Sequence, residues 1–243
     1  APRPAPKATV VLDATTRGSM VKEVEDAPAP QRILAPADRW LHTVWTHWVG
    51  ATPRGIPCIF SNRVLIAADD GAIHSLNLRG ERKWSFPVGA VPSSPVAEKL
   101  QFYCVAGNSV YAGDIQSGKR LWCFSSPKQA KFGSPTVHKG AVLVGDSEGK
   151  TRCIDSQRGS LAWEYQGKAG VCSPPVIHEG LVYSVAVDGH IYVIDLETGQ
   201  ERAKFMISGG IESIGVRAPW IFAASRNKSF LACNLAARKQ VWE

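Results

Sequence analysis

The chain has 243 residues, of which 44% are hydrophobic and 20% charged, a balance typical of a globular protein with one large domain or two small ones. No apolar run approaches the roughly 20 residues that a membrane helix needs, so no transmembrane segment is predicted. The net charge of +7 arises from 28 basic residues scattered among 21 acidic ones, with no three consecutive basic residues. This pattern indicates a mildly basic, solvated surface and does not favour specific nucleic-acid binding.

The first 54 residues are irregular. Ala1 to Lys7 is Pro/Ala-rich and basic and lacks the apolar stretch of a secretory signal, although a signal removed before Ala1 would leave no trace. Asp26 to Pro36 has the composition of a linker or a long loop. Residues 1–54 are therefore predicted to form an N-terminal arm or a worn copy of the repeat that follows, and three tryptophans in it could instead form a plug or a partner-binding element: Trp40, Trp45 and Trp48.

From about residue 55 the chain repeats itself every 40 residues or so. Four of the five copies have a tryptophan at the same place in the repeat: Trp84, Trp122, Trp163 and Trp242. Ala203 takes this place in the fourth copy, and the five positions are separated by 38, 41, 40 and 39 residues. A glycine stands four residues earlier in four copies, with Arg238 in the last: Gly80, Gly118, Gly159 and Gly199. Four residues before the glycine comes an aspartate, replaced by Leu76 in the first copy and Asn234 in the last: Asp114, Asp155 and Asp195.

Each copy predicts four short strands, because brief β-branched and aromatic runs alternate with Gly, Asn and Asp turns. In the third copy the strands are expected at 135–138, 141–145, 150–154 and 161–165. We expect the glycine to allow a positive φ, the aspartate to accept hydrogen bonds from turn amides, and the tryptophan to cover the gap to a neighbouring sheet. The fold class predicted is all-β, a propeller of four-stranded antiparallel blades.

The spacing of Asp, Gly and Trp, with the inner-strand string SSPV, resembles the PQQ-like repeat. That family includes quinoprotein dehydrogenases, outer-membrane assembly lipoproteins of the BamB type, and propellers appended to bacterial kinases and adenylating enzymes. The WD40 repeat fits less well, because the chain lacks its Gly-His pair and closing Trp-Asp. Propellers of the resembled family close with about six to eight blades. The five clear copies therefore leave three possibilities: a ring of five, a degenerate sixth blade at residues 8–50, or a part of a longer chain.

Catalytic constellations are not apparent. The chain has no GxSxG or GxxxxGK motif and no adjacent cysteines of the kind that many quinoprotein dehydrogenases place against their quinone. The six scattered cysteines are expected to be small, buried hydrophobic residues. Free thiols are typical of a reducing compartment, so the cytoplasm is favoured. His138 and His178 occupy equivalent places in neighbouring copies, with Glu98 in the copy before; we expect exposed turn residues there rather than a metal site. No enzyme activity, cofactor or metal is predicted.

The function predicted is a non-catalytic scaffold that binds a protein partner of unknown identity, either within an assembly or as an appended domain. A sensor with a small molecule in the central channel is the alternative, and a quinoprotein dehydrogenase is less favoured. Loops carry function while the sheets hold them in place. The candidate partner-binding face lies on the links between copies and the turns beside them: Lys128, Lys131, Phe132, Lys168, Asp188 and Arg226.

Overall fold

A computed structural model describes residues 44–126, 130–171, 173–207, 210–226, 229–234 and 239–242. This part of the chain contains no helix, and its strands form five four-stranded antiparallel sheets. Sheet 1 consists of β1 (Pro53–Phe60), β2 (Arg63–Ala68), β3 (Ala72–Asn77) and β4 (Arg82–Pro87). Sheet 2 consists of β5 (Val96–Glu98), β6 (Gln101–Ala106), β7 (Ser109–Asp114) and β8 (Arg120–Ser125).

Sheet 3 consists of β9 (Thr136–His138), β10 (Ala141–Gly145), β11 (Lys150–Asp155) and β12 (Leu161–Gln166). Sheet 4 consists of β13 (Val176–His178), β14 (Leu181–Val185), β15 (His190–Asp195) and β16 (Glu201–Met206). Sheet 5 consists of β17 (Ile211–Arg217), β18 (Trp220–Ser225), β19 (Phe230–Asn234) and β20 (Lys239–Trp242). In every sheet the strands pair in sequence order, so the all-β propeller predicted from the sequence is confirmed.

The chain divides into two units, Ala1–Trp48 and Val49–Glu243, and all five sheets belong to the second. Most of the predicted sixth blade at residues 8–50 lies outside the described residues, and residues 44–52 form no strand. No helix in the described ranges is long and apolar enough to cross a membrane.

Sheets 1 to 4 bury their two middle strands on both faces, whereas in sheet 5 buried and half-buried residues alternate along β18. In β14, for example, Val182, Tyr183, Ser184 and Val185 are all at most 3% exposed. Apolar side chains from adjacent sheets interdigitate, and four separate clusters result, one for each junction between consecutive sheets. The sheets therefore stabilise one another in pairs, and no single cluster spans them all.

The two ends of the sheets carry different loops. At one end, here called the turn end, lie the turns between the first and second strands and between the third and fourth strands. At the other, the link end, lie the turns between the second and third strands and the links from one sheet to the next. In sheets 2 to 4 the turn after the first strand begins with a left-handed residue, which shapes a tight hairpin: Lys99, Lys139 and Glu179.

Candidate functional site

The tryptophan and glycine that recur in the repeats meet at the contacts between adjacent sheets. The indole of Trp122 lies over Gly159 of the next sheet, where an added Cβ would come within 2.6 Å of the ring. Its Nε1 donates a hydrogen bond to the carbonyl of Ser156 at 2.8 Å. Trp84 and Trp163 do the same with the following sheets, through Gly118 and Gly199. The expectation that these tryptophans cover the gap between sheets is confirmed for these three junctions; nothing is described of the Trp242 side chain.

The repeated aspartates hold the turns between the third and fourth strands, as predicted. The Oδ1 of Asp155 accepts backbone N–H groups of Gln157 at 3.0 Å and Arg158 at 2.7 Å. Asp195 forms the equivalent bonds, and its Oδ2 also accepts from Arg202 at 2.9 Å. Chiefly through this Arg202 hydrogen bond, the pKa of Asp195 falls to about 2. These carboxylates therefore serve the turns, and their geometry gives no reason to assign them catalysis.

In sheet 1 the assignment of Leu76 to the aspartate column is wrong. Leu76 is 1% exposed and lies in the core, whereas the Oδ1 of the next residue, Asn77, accepts the N–H groups of Arg79 at 3.0 Å and Glu81 at 2.9 Å. This turn is one residue shorter than in the other sheets, so spacing counted back from Gly80 missed the residue that holds it.

Glu98, His138 and His178 end the first strands of sheets 2, 3 and 4. Glu98 accepts the backbone N–H groups of Lys139 at 2.6 Å and Gly140 at 2.9 Å, both in the next sheet. The Nε2 of His178 accepts the N–H of Ala218 in sheet 5 at 3.1 Å. Glu98 and His178 thus form hydrogen bonds between neighbouring sheets, a role that the sequence did not reveal. No cluster suited to a metal ion occurs among the described residues.

The candidate partner-binding residues do gather at the link end. Lys131 and Lys168 are exposed and belong to successive links, while Asp188 and Arg226 are exposed in the turns of sheets 4 and 5. Lys128 lies outside the described residues.

Phe132 is an exception, and its assignment to the contact face is wrong. It is 8% exposed, and the Arg152 guanidinium lies 5.3 Å from the centre of its ring. Arg152 is itself buried, with Nη1 donating to Asp146 at 2.6 Å and Nε donating to Glu164 at 2.7 Å. The alternation of apolar residues in the sequence could not reveal this ionic cluster. Asp146 and Arg152 stand at positions where the other sheets have uncharged side chains or histidine.

Backbone hydrogen bonds fix the loops of the link end. The N–H of Ser147 donates to the carbonyl of Lys131 at 3.0 Å, and the N–H of Lys168 donates to the hydroxyl of Tyr192 at 2.9 Å. Burial disfavours the charged form of Asp188, but hydrogen bonds from the backbone and ring of His190 outweigh it and lower the pKa of the carboxyl. Hydrogen bonds therefore hold the Asp188 carboxylate and the backbones of Lys131 and Lys168 in place.

Comparison with known proteins supports the reading of the repeats. Residues 106–202 match the family model described as outer membrane protein assembly factor BamB. BamB of Escherichia coli strain K12 is 30% identical over 141 residues, which is 57% of this chain and 36% of that protein. The crystal structure of BamB from Moraxella catarrhalis superposes with a TM-score of 0.72 at 16% identity, covering 82% of this chain and 63% of that one. The repeats within residues 106–202 are therefore of the PQQ-like, BamB-like propeller type.

The match to the PQQ-like family is partial in length, since the aligned part spans just over a third of the E. coli BamB protein. A shorter similarity reaches the beta-alanine-activating enzyme of Danio rerio, 30% identical over 79 residues, which cover 30% of this chain and 7% of that protein. A computationally designed protein, Ika8, also superposes, with a TM-score of 0.68 at 18% identity, covering 76% of this chain and 59% of that one. Such structural likeness establishes the fold alone.

Two further features of this PQQ-like propeller bear on its chemistry. Burial raises the pKa of Cys104 to about 12 and that of Cys153 to about 11, so neither thiol is a ready nucleophile. The expectation that the cysteines are buried is confirmed for Cys104 and Cys153, whereas Cys58 and Cys233 are half-buried and Cys123 is exposed. Cys172 lies outside the described residues. A shallow cavity of about 130 Å³ lies at the turn end, between sheets 2 and 3, beside Leu100, Tyr103 and Gln157.

Proposed function

We propose that this chain is a non-catalytic propeller that binds a protein partner. Its BamB relatives are named outer membrane protein assembly factors, and by analogy we propose that this chain acts in outer-membrane protein assembly. The observation that carries the proposal is the family-model match over residues 106–202. This range covers β7 and β8 of sheet 2, all of sheet 3 and the first three strands of sheet 4, and it includes the two links that hold Lys131 and Lys168.

The geometry of the link end supports recognition of another protein. Its loops are held by backbone hydrogen bonds to neighbouring sheets, so Lys131, Lys168 and Asp188 project from positions that need little ordering on binding. A surface ordered in advance loses less conformational entropy on association. The complementary partner surface would present carboxylates to the cations and a hydrogen-bond donor to Asp188.

The cavity described between sheets 2 and 3 gives the small-molecule alternative no support. The cavity between sheets 2 and 3 measures about 130 Å³, below the roughly 300 Å³ at which pockets for small ligands begin. It also lies at the turn end, away from Lys131, Lys168 and Asp188.

The test compares two charge reversals of equal size in the full chain. Lys131→Glu with Lys168→Glu alters the link end, and Lys119→Glu with Arg158→Glu alters exposed residues of the turn end. Each tagged variant is expressed in the native source, and co-purifying proteins are quantified by mass spectrometry in moderate salt. We expect a stoichiometric partner with the unaltered chain, at least a tenfold loss with the link-end variant, and retention with the turn-end variant.

Equal loss in both variants would point to net charge rather than to this surface and would contradict the proposed binding face. A monomer that carries a bound small molecule, with no protein partner, would contradict the proposed function and favour the sensor. Both variants should first show the same unfolding midpoint as the unaltered chain, because the reversed side chains are exposed.

A further inference from the structure

Exposed cations without an ionic partner gather at the turn end of sheets 1 to 3. They lie in the turns after the first and third strands or directly beside those turns. Among the described residues none of these cations forms an ion pair, in contrast to Lys83 and Arg202, which pair with Glu81 and Asp195. The six residues, here called the basic turn surface, are Arg79, Arg82, Lys99, Lys119, Lys139 and Arg158.

Three carboxylates of sheets 2 and 3 in this region are engaged with backbone groups. Glu98 accepts two N–H groups of the turn in the next sheet, at 2.6 and 2.9 Å. The Oδ1 of Asp114 accepts the N–H of Ser117 at 2.7 Å, and Asp155 holds the equivalent turn of sheet 3. These acidic residues are half-buried, whereas the six cationic side chains are exposed, so the outward charge of this end is positive.

The regions around the basic turn surface carry mixed or negative charge. At the link end, Lys131 and Lys168 stand among exposed acidic residues, which include Asp70 and Glu148. At the turn end of sheet 4, three glutamates are exposed: Glu179, Glu197 and Glu201. The unpaired positive charge is therefore concentrated at one end of three sheets, and a partner with a negative surface would meet it there.

Hydrogen bonds join the turns that carry the cations. The Nη2 of Arg63 in sheet 1 donates to the Oε1 of Gln116 in sheet 2 at 3.1 Å. The N–H of Ile115 donates to the carbonyl of Leu100 at 2.9 Å, which connects the two turns of sheet 2, and the bonds of Glu98 connect sheet 2 to sheet 3. The backbones of these turns are thus held relative to one another, so binding needs little ordering of the chain.

An exposed leucine stands among these cations. Leu100 is 62% exposed and follows Lys99 in the tight hairpin of sheet 2, where Lys99 has a left-handed φ of 57°. The phosphate backbone of a nucleic acid offers no apolar surface to such a side chain. The headgroup region of a membrane does, because proteins that lie on membranes place apolar side chains there beside basic ones. The combination of cations with Leu100 therefore favours a membrane surface over a soluble polyanion.

We propose that the basic turn surface binds a bilayer that contains anionic phospholipids, with its cations at the headgroup phosphates and Leu100 inserted between the headgroups. Each basic residue near an anionic membrane strengthens binding severalfold, and the attraction falls off within a Debye length. We therefore expect the binding to be reversible and to weaken as salt is added. This inference does not depend on the partner proposed for the link end, because the two surfaces lie at opposite ends of the sheets.

The experiment measures co-sedimentation of the full chain with vesicles of two compositions, phosphatidylcholine alone and equal parts of phosphatidylcholine and phosphatidylglycerol. We expect the chain to bind the anionic vesicles at least about tenfold more tightly than the neutral ones. Lys119→Glu with Arg158→Glu should weaken binding to the anionic vesicles at least about tenfold. Lys131→Glu with Lys168→Glu, which changes the net charge equally, is the matched control and should keep that binding within about twofold.

Leu100→Ala tests the insertion into the headgroup region. It should weaken binding to the anionic vesicles by about threefold or more but leave binding to heparin, a soluble polyanion, unchanged. Binding that does not require phosphatidylglycerol, or equal losses in both charge-reversal pairs, would overturn the proposal. Binding to heparin as tight as that to the vesicles, with no effect of Leu100→Ala on either, would overturn it too, because the surface would then serve an acidic macromolecule. Partner capture depends on the link-end pair and vesicle binding on the turn-end pair, so either proposal can fail alone.

Discussion

Gly159 meets two separate requirements, and a pair of substitutions can separate them. Its φ of 68° lies in the left-handed region, and its missing Cβ leaves room for the Trp122 indole. Gly107 has a similar φ of 62°, yet nothing lies within 4 Å of the place a Cβ would take. The first requirement is local to the turn, whereas the second belongs to the junction between sheets.

We predict that Gly159→Ala lowers the free energy of unfolding by about 3 kcal/mol, because it combines backbone strain with a clash against a packed ring. Gly107→Ala should cost only about 1 kcal/mol, from the left-handed backbone alone. Urea denaturation of the two variants measures both values. Equal losses would mean that the indole moves aside and that the junction does not need the glycine.

The tie between Glu98 and the next sheet can be tested in the same way. Glutamine keeps one acceptor oxygen but turns an amide donor toward one of the two N–H groups, of Lys139 or Gly140. We predict that Glu98→Gln lowers the free energy of unfolding by about 1–2 kcal/mol. Glu179→Gln, in the following sheet, should change it by less than about 0.5 kcal/mol, because that side chain is 76% exposed and lies 3.7 Å from His178.

At the scale of the element, most of each blade could be predicted. The strands of sheet 3 begin and end within one residue of those expected, because β-branched runs and turn residues are local signals. Pro95, Pro135 and Pro175 come directly before the first strands of sheets 2, 3 and 4, but Pro57 lies inside the longer β1, where the pairing with β2 shifts register. The sequence predicted that the tryptophans cover the gap to a neighbouring sheet, but it did not predict that Trp122 rests on Gly159, because no local spacing records which residue of the next repeat supplies the partner.

Sheet 3 also differs from its neighbours by its buried ionic cluster. Asp146 is 0% exposed and Arg152 2% exposed, whereas the equivalent places in sheet 4 hold Ala186 and Tyr192. Two buried charges contribute little net stability as a pair, but removing one partner leaves the other without compensation.

We predict that Arg152→Tyr lowers the free energy of unfolding by about 3 kcal/mol, because Asp146 then lies in the core without its ionic partner. The double change to the sheet 4 residues, Asp146→Ala with Arg152→Tyr, should cost less than Arg152→Tyr alone, with a coupling of at least about 1 kcal/mol. A double-mutant cycle by urea denaturation measures this coupling. Additive losses would show that the ion pair itself contributes nothing and that each residue acts through its other contacts.

At the scale of the molecule, stability is divided among junctions. Each of the four apolar clusters draws its residues from two consecutive sheets, and the tryptophan and glutamate ties likewise join neighbours. A structure of this kind approximates a row of units coupled to their nearest neighbours. Its openings should therefore be local, limited to the sheets on either side of a weakened junction.

We predict that Gly118→Ala, which weakens the junction of sheets 1 and 2, accelerates amide hydrogen exchange in those two sheets and leaves sheet 5 protected. Gly199→Ala is the matched substitution at the junction of sheets 3 and 4, since both glycines have a positive φ and lie beneath a tryptophan ring. It should accelerate exchange in sheets 3 and 4 and leave sheet 1 protected. Exchange followed by mass spectrometry under native conditions distinguishes the two patterns. If either variant instead loses protection evenly across all five sheets, the propeller unfolds as one cooperative unit, and the clusters are coupled more strongly than their separation indicates.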